Sequence, residues 1–191
     1  MKEVMLKMEM SKIIFDNDCL ASFLWTDSFD LLNLTYDAEF KIPFAVYKEF
    51  ERMKKYPKYS YVFTRLETQI QNGNIEIVEI FENTEEHEVY ERIKSEYAAQ
   101  NNGKVIGEGE AEMLALAIAH NSFCTVSSAS NNLRDVAIIV EKEGLNNITT
   151  IDILRNAYLK EIKTIEELNK LKTDMEAKKR KLPKGKMEDF L

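Results

Sequence analysis

The chain has 191 residues, of which 45% are hydrophobic and 31% charged, enough apolar content for one domain with a true core. A net charge of −7 excludes a protein that coats nucleic acid through bulk positive charge, but not an enzyme whose site draws positive charge from a metal. Cys19 and Cys124 lie far apart, and with His87 and His120 they show no zinc or disulfide spacing, which fits a reduced, cytoplasmic protein.

The opening stretch MKEVMLKMEMSK scatters charges through its methionines and carries no signal-peptide core. No apolar run approaches the ~18–20 residues that span a bilayer. KIIF reads as a buried strand that stops on Asp16 and Asp18. A helix is predicted from Cys19 to Trp25, with a second short one around Phe29–Leu34. FKIPF reads as a short strand ending near Pro43, and AVYKEFERMKK as the helix after it. YSYVFTRLETQIQNG is helical and closes on Gly73, and NIEIVEIF alternates with period two, a strand with one wet face.

TEEHEVYERIKSEYAAQNNG begins with acids that complement a helix N-terminus. GEGEAEMLALAIAHN makes another helix and FCTVSS a short buried strand. NNLRDVAIIVEKEGL is helical to Gly144, and NITTIDILRNAYLKEI gives a last strand and a helix capped by Thr150 or Asp152. TIEELNKLKTDMEAKKRKLPKGK reads as an exposed helix that frays at Pro183. Strands alternating with helices of this length imply a three-layer α/β/α fold around a mainly parallel sheet.

In open parallel sheets, ligands sit at the carboxyl ends of the strands. Asp16 ends the first strand, Glu49 lies early in the helix after the second, and Glu108, Glu110 and Glu112 open the helix before FCTV. At about 100° per residue, Glu110 falls roughly 50–60° from the direction set by Leu114 and Ile118, whereas Glu108 and Glu112 point more than about 90° away. Glu110 is therefore expected to lean inward, and the other two to be surface acids. Each acid alone has an ordinary reading: Asp16 or Asp18 as an N-cap, Glu49 as a solvent-facing helix residue, Glu110 as helix-dipole charge. Together at one pole they repel unless a divalent cation neutralises them, and hard oxygen ligands select Mg²⁺ or Mn²⁺.

IIFDNDCLASFL, LLNLTYDAEFKIPFAVYKEFER and GEGEAEMLALAIAHNSFCTVSS, with NNLRDVAIIVEKEGL and ITTIDIL after them, resemble in order and spacing the blocks of PIN-domain nucleases. The resemblance covers roughly residues 12–160 and implies that Asp16, Glu49 and Glu110 are catalytic and bind Mg²⁺ or Mn²⁺. It puts Asp18 in a supporting position, and it implies a ribonuclease that hydrolyses RNA phosphodiesters. Many such proteins are toxins of toxin–antitoxin pairs, which adds an antitoxin or regulatory protein, and a homodimer, to the expected partners.

The family's fourth acid departs from the pattern. Ser130 or Asn131 stands in its place, and no carboxylate follows until Asp135, so one metal or two is left open. The alternative is a catalytically degenerate PIN-fold module that binds RNA or protein. On this reading residues 1–11 are an extension, 12–160 the PIN-like domain, and 161–191 a C-terminal helix with a basic tail. KKRKLPKGK in that tail reads either as phosphate-contacting or as a solubilising terminus, the second preferred. YPKYSYVF could stack bases but more simply packs a helix, and Trp25 is expected in the core.

Overall fold

The computed structural model describes residues 12–126 and 133–191, without the side chains of 133–135. Five short strands form one parallel sheet: β1 (Lys12–Ile14), β2 (Glu39–Pro43), β3 (Glu76–Val78), β4 (Phe123–Thr125) and β5 (Asn147–Ile148). Their order is β3-β2-β1-β4-β5, so the chain works outward from β1 on one side and then returns to its other edge. The switch falls between β1 and β4, where Ile14 pairs with Cys124. A crevice at the carboxyl ends of these two strands is where such sheets hold ligands.

The helices are α1 (Asn17–Trp25), α2 (Asp30–Thr35), α3 (Phe44–Arg52), α4 (Ser60–Gln71), α5 (Glu85–Gln100), α6 (Glu108–Ala119), α7 (Leu133–Lys142), α8 (Thr150–Leu159) and α9 (Ile165–Ala177). Local chemistry starts several of them. Thr84 caps α5, and Thr149 and Thr164 form capping boxes with Asp152 and Glu167 at α8 and α9. The cap of α8 is thus Thr149, one residue before the Thr150 expected from sequence, with Asp152 as its reciprocal partner.

Alternation along β1 splits the core into two layers. Ile13 and Phe15 pack with Phe23, Phe50, Leu66 and Leu154, while Ile14 faces Ile93, Leu114 and Val140. Both sheet faces are covered, which is why KIIF reads as a continuous apolar run. The two cysteines are buried in opposite layers and His120 stands at the end of α6, so the four soft ligands do not meet.

The C-terminal segment departs from an exposed, fraying helix. α9 stops at Ala177, six residues before Pro183, and buries Leu168, Lys172 and Met175. Beyond it Leu182 and Phe190 pack on the first core layer, and Met187 is fully buried within it. Among the described residues, no helix is long and apolar enough to cross a membrane.

Candidate active site

Asp16 follows β1 and is the N-cap of α1, so the two readings of this acid converge on one residue. Its Oδ1 accepts from the Cys19 amide at 2.9 Å and from the Thr125 hydroxyl at 2.8 Å. The Asp16 amide donates in turn to Thr125 Oγ1 at 2.8 Å, so the ends of β1 and β4 are tied across the switch point. Burial pushes the Asp16 carboxyl up to about 7. The two hydrogen bonds oppose that rise, and the charges of Asp18 and Glu110 add to it.

Glu49 enters from the second turn of α3. The Asn17 side-chain amide donates to its Oε2 at 2.7 Å. Its Oε1 lies against Gly109, where an added Cβ would stand 3.0 Å from that oxygen and 3.0 Å from Val46 Cγ2. Gly109 is buried in the first turn of α6, and its missing side chain is what lets α3 cross there. Glu110 is the next residue and is half-buried. A Cβ on Gly107 would come 3.2 Å from its Oε2. The glycines of GEGE therefore hold two carboxylates close to the backbone.

Glu112 corrects the helical-wheel expectation. It is half-buried, and its Oε2 accepts from the Ala45 amide at 2.9 Å, capping α3 from a neighbouring helix. Burial raises its pKa, against the Ala45 bond, and the charges of Glu108, Glu79 and Glu49 raise it further. The wheel misled because α6 is buried almost all round, from Met113 to Ala117, so Leu114 and Ile118 do not define one inward face. Glu108 is an exposed acid as expected, 3.6 Å from Lys94.

The chain places Asp16, Glu49 and Glu110 around one pole. Asp18, half exposed, pairs instead with Arg180 beyond α9. Ser130 and Asn131 lie outside the described residues, as does the side chain of Asp135. Asn17 and Thr125 escaped the sequence reading. Their signal was a polar residue directly after Asp16 and another at the carboxyl end of β4. The thiols of Cys19 and Cys124 take no part: burial and then the charge of Asp16 push both up, Cys124 to about 12, and both stay protonated.

The fold has counterparts among known proteins. The PIN-domain family model DUF3368 matches residues 12–191. The chain belongs to the PIN-domain family. Among solved structures, this PIN domain is similar to a chain of VapBC2 from Rickettsia felis, bound to a DNA fragment from their promoter. The TM-score is 0.50 at 16% identity, over 72% of this chain and 98% of that one, a likeness of fold. No curated protein matches in sequence.

The donor chemistry of the pole fits a divalent cation. Asp16, Glu49 and Glu110 offer hard oxygens, two of them in glycine cradles that a Cβ would fill. Both Asp16 bonds go to Oδ1, which leaves Oδ2 unbonded among the described residues. The spacing is looser than the chemistry: among the described residues, no three His, Cys, Asp or Glu side chains already stand close enough to share an ion.

Proposed function

We propose that this PIN domain is a divalent-metal-dependent ribonuclease, with Asp16, Glu49 and Glu110 as its metal-holding residues. The observation that carries the reading is Asp16: a buried carboxylate at the β1/β4 switch point, pushed up to about 7 beside two further acids. Nothing in the packing of the core needs an acid there, and an asparagine would make the same two hydrogen bonds. Perturbed groups of this kind concentrate at functional sites.

The residues divide the work. Thr125 and the Cys19 amide fix Oδ1 of Asp16 and hold the carboxylate at the crevice. Asn17 orients Glu49 through Oε2, and Gly109 sets how closely α3 brings it to Glu110. Asp16 must release its proton before it can hold a cation, so ion binding at about pH 6 is accompanied by proton release. A divalent ion bound there supplies the charge that lets three acids coexist and Lewis acidity at a phosphodiester.

A cytoplasmic toxin whose pole is covered by an antitoxin fits this reading, supported by family membership and by the fold shared with VapBC2. The second reading, a degenerate module that binds RNA or protein, is favoured by the loose spacing of the acids. Mn²⁺ titration by calorimetry on wild type and Asp16→Asn, with single-stranded RNA cleavage in parallel, separates the two. Saturable binding and cleavage, both lost in Asp16→Asn, are expected. RNA binding without either would move the function to the module.

A further inference from the structure

The basic segment 178–186 is the feature that the ribonuclease reading leaves unused. It carries five lysines and Arg180 with no acid, in a chain whose net charge is −7. The five lysines are exposed, yet the segment that carries them is fastened down at several points. α9 ends with the Arg180 amide donating to Met175 O at 3.1 Å and the Lys179 amide to Glu176 O at 2.8 Å. These are the paired bonds of a Schellman ending. The left-handed position, normally glycine, is Lys179 at φ +62°.

The turn aims Arg180 at the start of α1. Its Nη2 pairs with the Asp18 carboxylate and approaches the Asp18 carbonyl at 3.4 Å, two residues from Asp16. Downstream, Leu182 joins the core, and the Met187 amide donates to Asn169 Oδ1 at 2.8 Å. A solubilising tail would need none of these anchors.

We propose that residues 178–186 form a fixed cationic rim that holds the backbone of single-stranded RNA beside the acid pole. The inference rests on the ribonuclease reading of that pole. Arg180 is the positioning residue, pinned by Asp18, and Lys178, Lys179 and Lys181 are the phosphate contacts. The rim offsets a local problem, because a polyanion approaching a pole that carries carboxylates is otherwise repelled.

The test is binding of an oligouridylate of about 20 nucleotides to the full-length Asp16→Asn protein, which does not cleave it, across roughly 50–200 mM salt. Substituting Lys178, Lys179 and Lys181 together by Gln is expected to lower the slope of log K against log salt by about 2, at ~0.7 per lost contact, and to weaken binding tenfold or more at about 0.1 M. The same change at the exposed Lys54, Lys55 and Lys58, beyond the far end of α3, is expected to leave the slope within error. Lys179→Gly relieves the strained turn, so it should raise the thermal midpoint while weakening RNA binding. Arg180→Ala, which unpins the segment, should weaken binding more than Lys178→Ala.

Equal slopes for the two triple variants would reduce the rim to bulk charge and overturn the proposal. So would an unchanged slope in the rim variant while wild type cleaves RNA with Mn²⁺, leaving the ribonuclease reading intact. No RNA binding and no cleavage by wild type would remove both.

Discussion

At the start of α6, Glu112 stands near Asp16 and Glu49, and the hydrogen bonds given for these three come from neutral groups: the Asn17 amide, the Thr125 hydroxyl and the backbone of Cys19 and Ala45. Where α5 meets α7, Glu96 and Glu143 meet cations. Arg92 binds Glu143 through both terminal nitrogens at 2.7 and 3.1 Å, Lys142 reaches Glu96 at 2.5 Å, and at the far end of α6 His120 meets Glu86 at 2.9 Å. The consequences are opposite. The Arg92 guanidinium holds Glu143 below the usual carboxylate range, while burial pushes Asp16 up to about 7. Glu143 and Glu96 are neutralised by cations of the fold, whereas Asp16 and Glu49 are held by neutral donors.

The sharpest challenge to this contrast is Asp16→Asn. Unfolded, Asp16 ionises near 3.8; folded, near 7. Between these values the native state keeps a proton that the unfolded state has lost, so stability falls as pH rises through the window, and the loss is complete above it. Asp16→Asn keeps an oxygen for the Cys19 and Thr125 bonds and removes the charge. It is expected to stabilise the metal-free protein at about pH 8 by up to a few kcal/mol, on about 1.4 kcal/mol per pKa unit. Urea unfolding near pH 5 and pH 8 reads this, and a variant no more stable than wild type at the higher pH would break the contrast.

Next in size is Gly109→Ala. The added methyl meets Glu49 and Val46, and the α3–α6 crossing must open, at a cost of about 1–3 kcal/mol. Thermal unfolding measures the cost. A neutral effect would mean that the two helices are not held by this contact.

Glu112→Ala removes the cap on α3 and is expected to destabilise by about 0.5–2 kcal/mol. Glu112→Gln keeps an acceptor for the Ala45 amide and should lose less. Because burial raises the Glu112 pKa, the Gln variant should gain on wild type as pH rises past the ordinary glutamate range. Equal losses for Ala and Gln would show that the charge, not the hydrogen bond, holds α3.

The smallest effect is expected from Arg92→Ala, about 1 kcal/mol or less, since the pair is partly exposed. The pair contributes above the unfolded glutamate value of 4.5, and its contribution is lost as pH falls through the lowered folded value. Its pH dependence thus runs opposite to that of Asp16. Stability profiles of the two variants that bend the same way would refute the comparison.

Much of this was legible beforehand because its causes are local. An apolar run halted by an acid, and helices of a dozen residues between short strands, act within a turn or a strand of their own position. KIIF, AVYKEFER and the α6 helix stand where periodicity puts them, and Asp16, Glu49 and Glu110 fall at one pole because strand ends and helix starts in such a fold do. The misjudged residues depend on neighbours distant in sequence. Glu112 reads as a surface acid in the sequence because its partner, Ala45, is 67 residues away. The tail reads as a fraying end in the sequence because its anchor, Asp18, is 162 residues away.

By itself, then, the sequence determined the alternation of elements, the cap of α1 at Asp16 and the set of acids at the carboxyl ends of the strands, since hydrophobic period and capping chemistry need only three or four neighbouring residues. The tertiary structure alone decided that β1 sits beside β4, that Thr125 therefore reaches Asp16 across 109 residues, and that Asn17, Gly109 and Arg180 complete the surroundings of the pole. Those contacts follow from the order of strands and the crossing of helices, quantities that no short stretch of the chain contains.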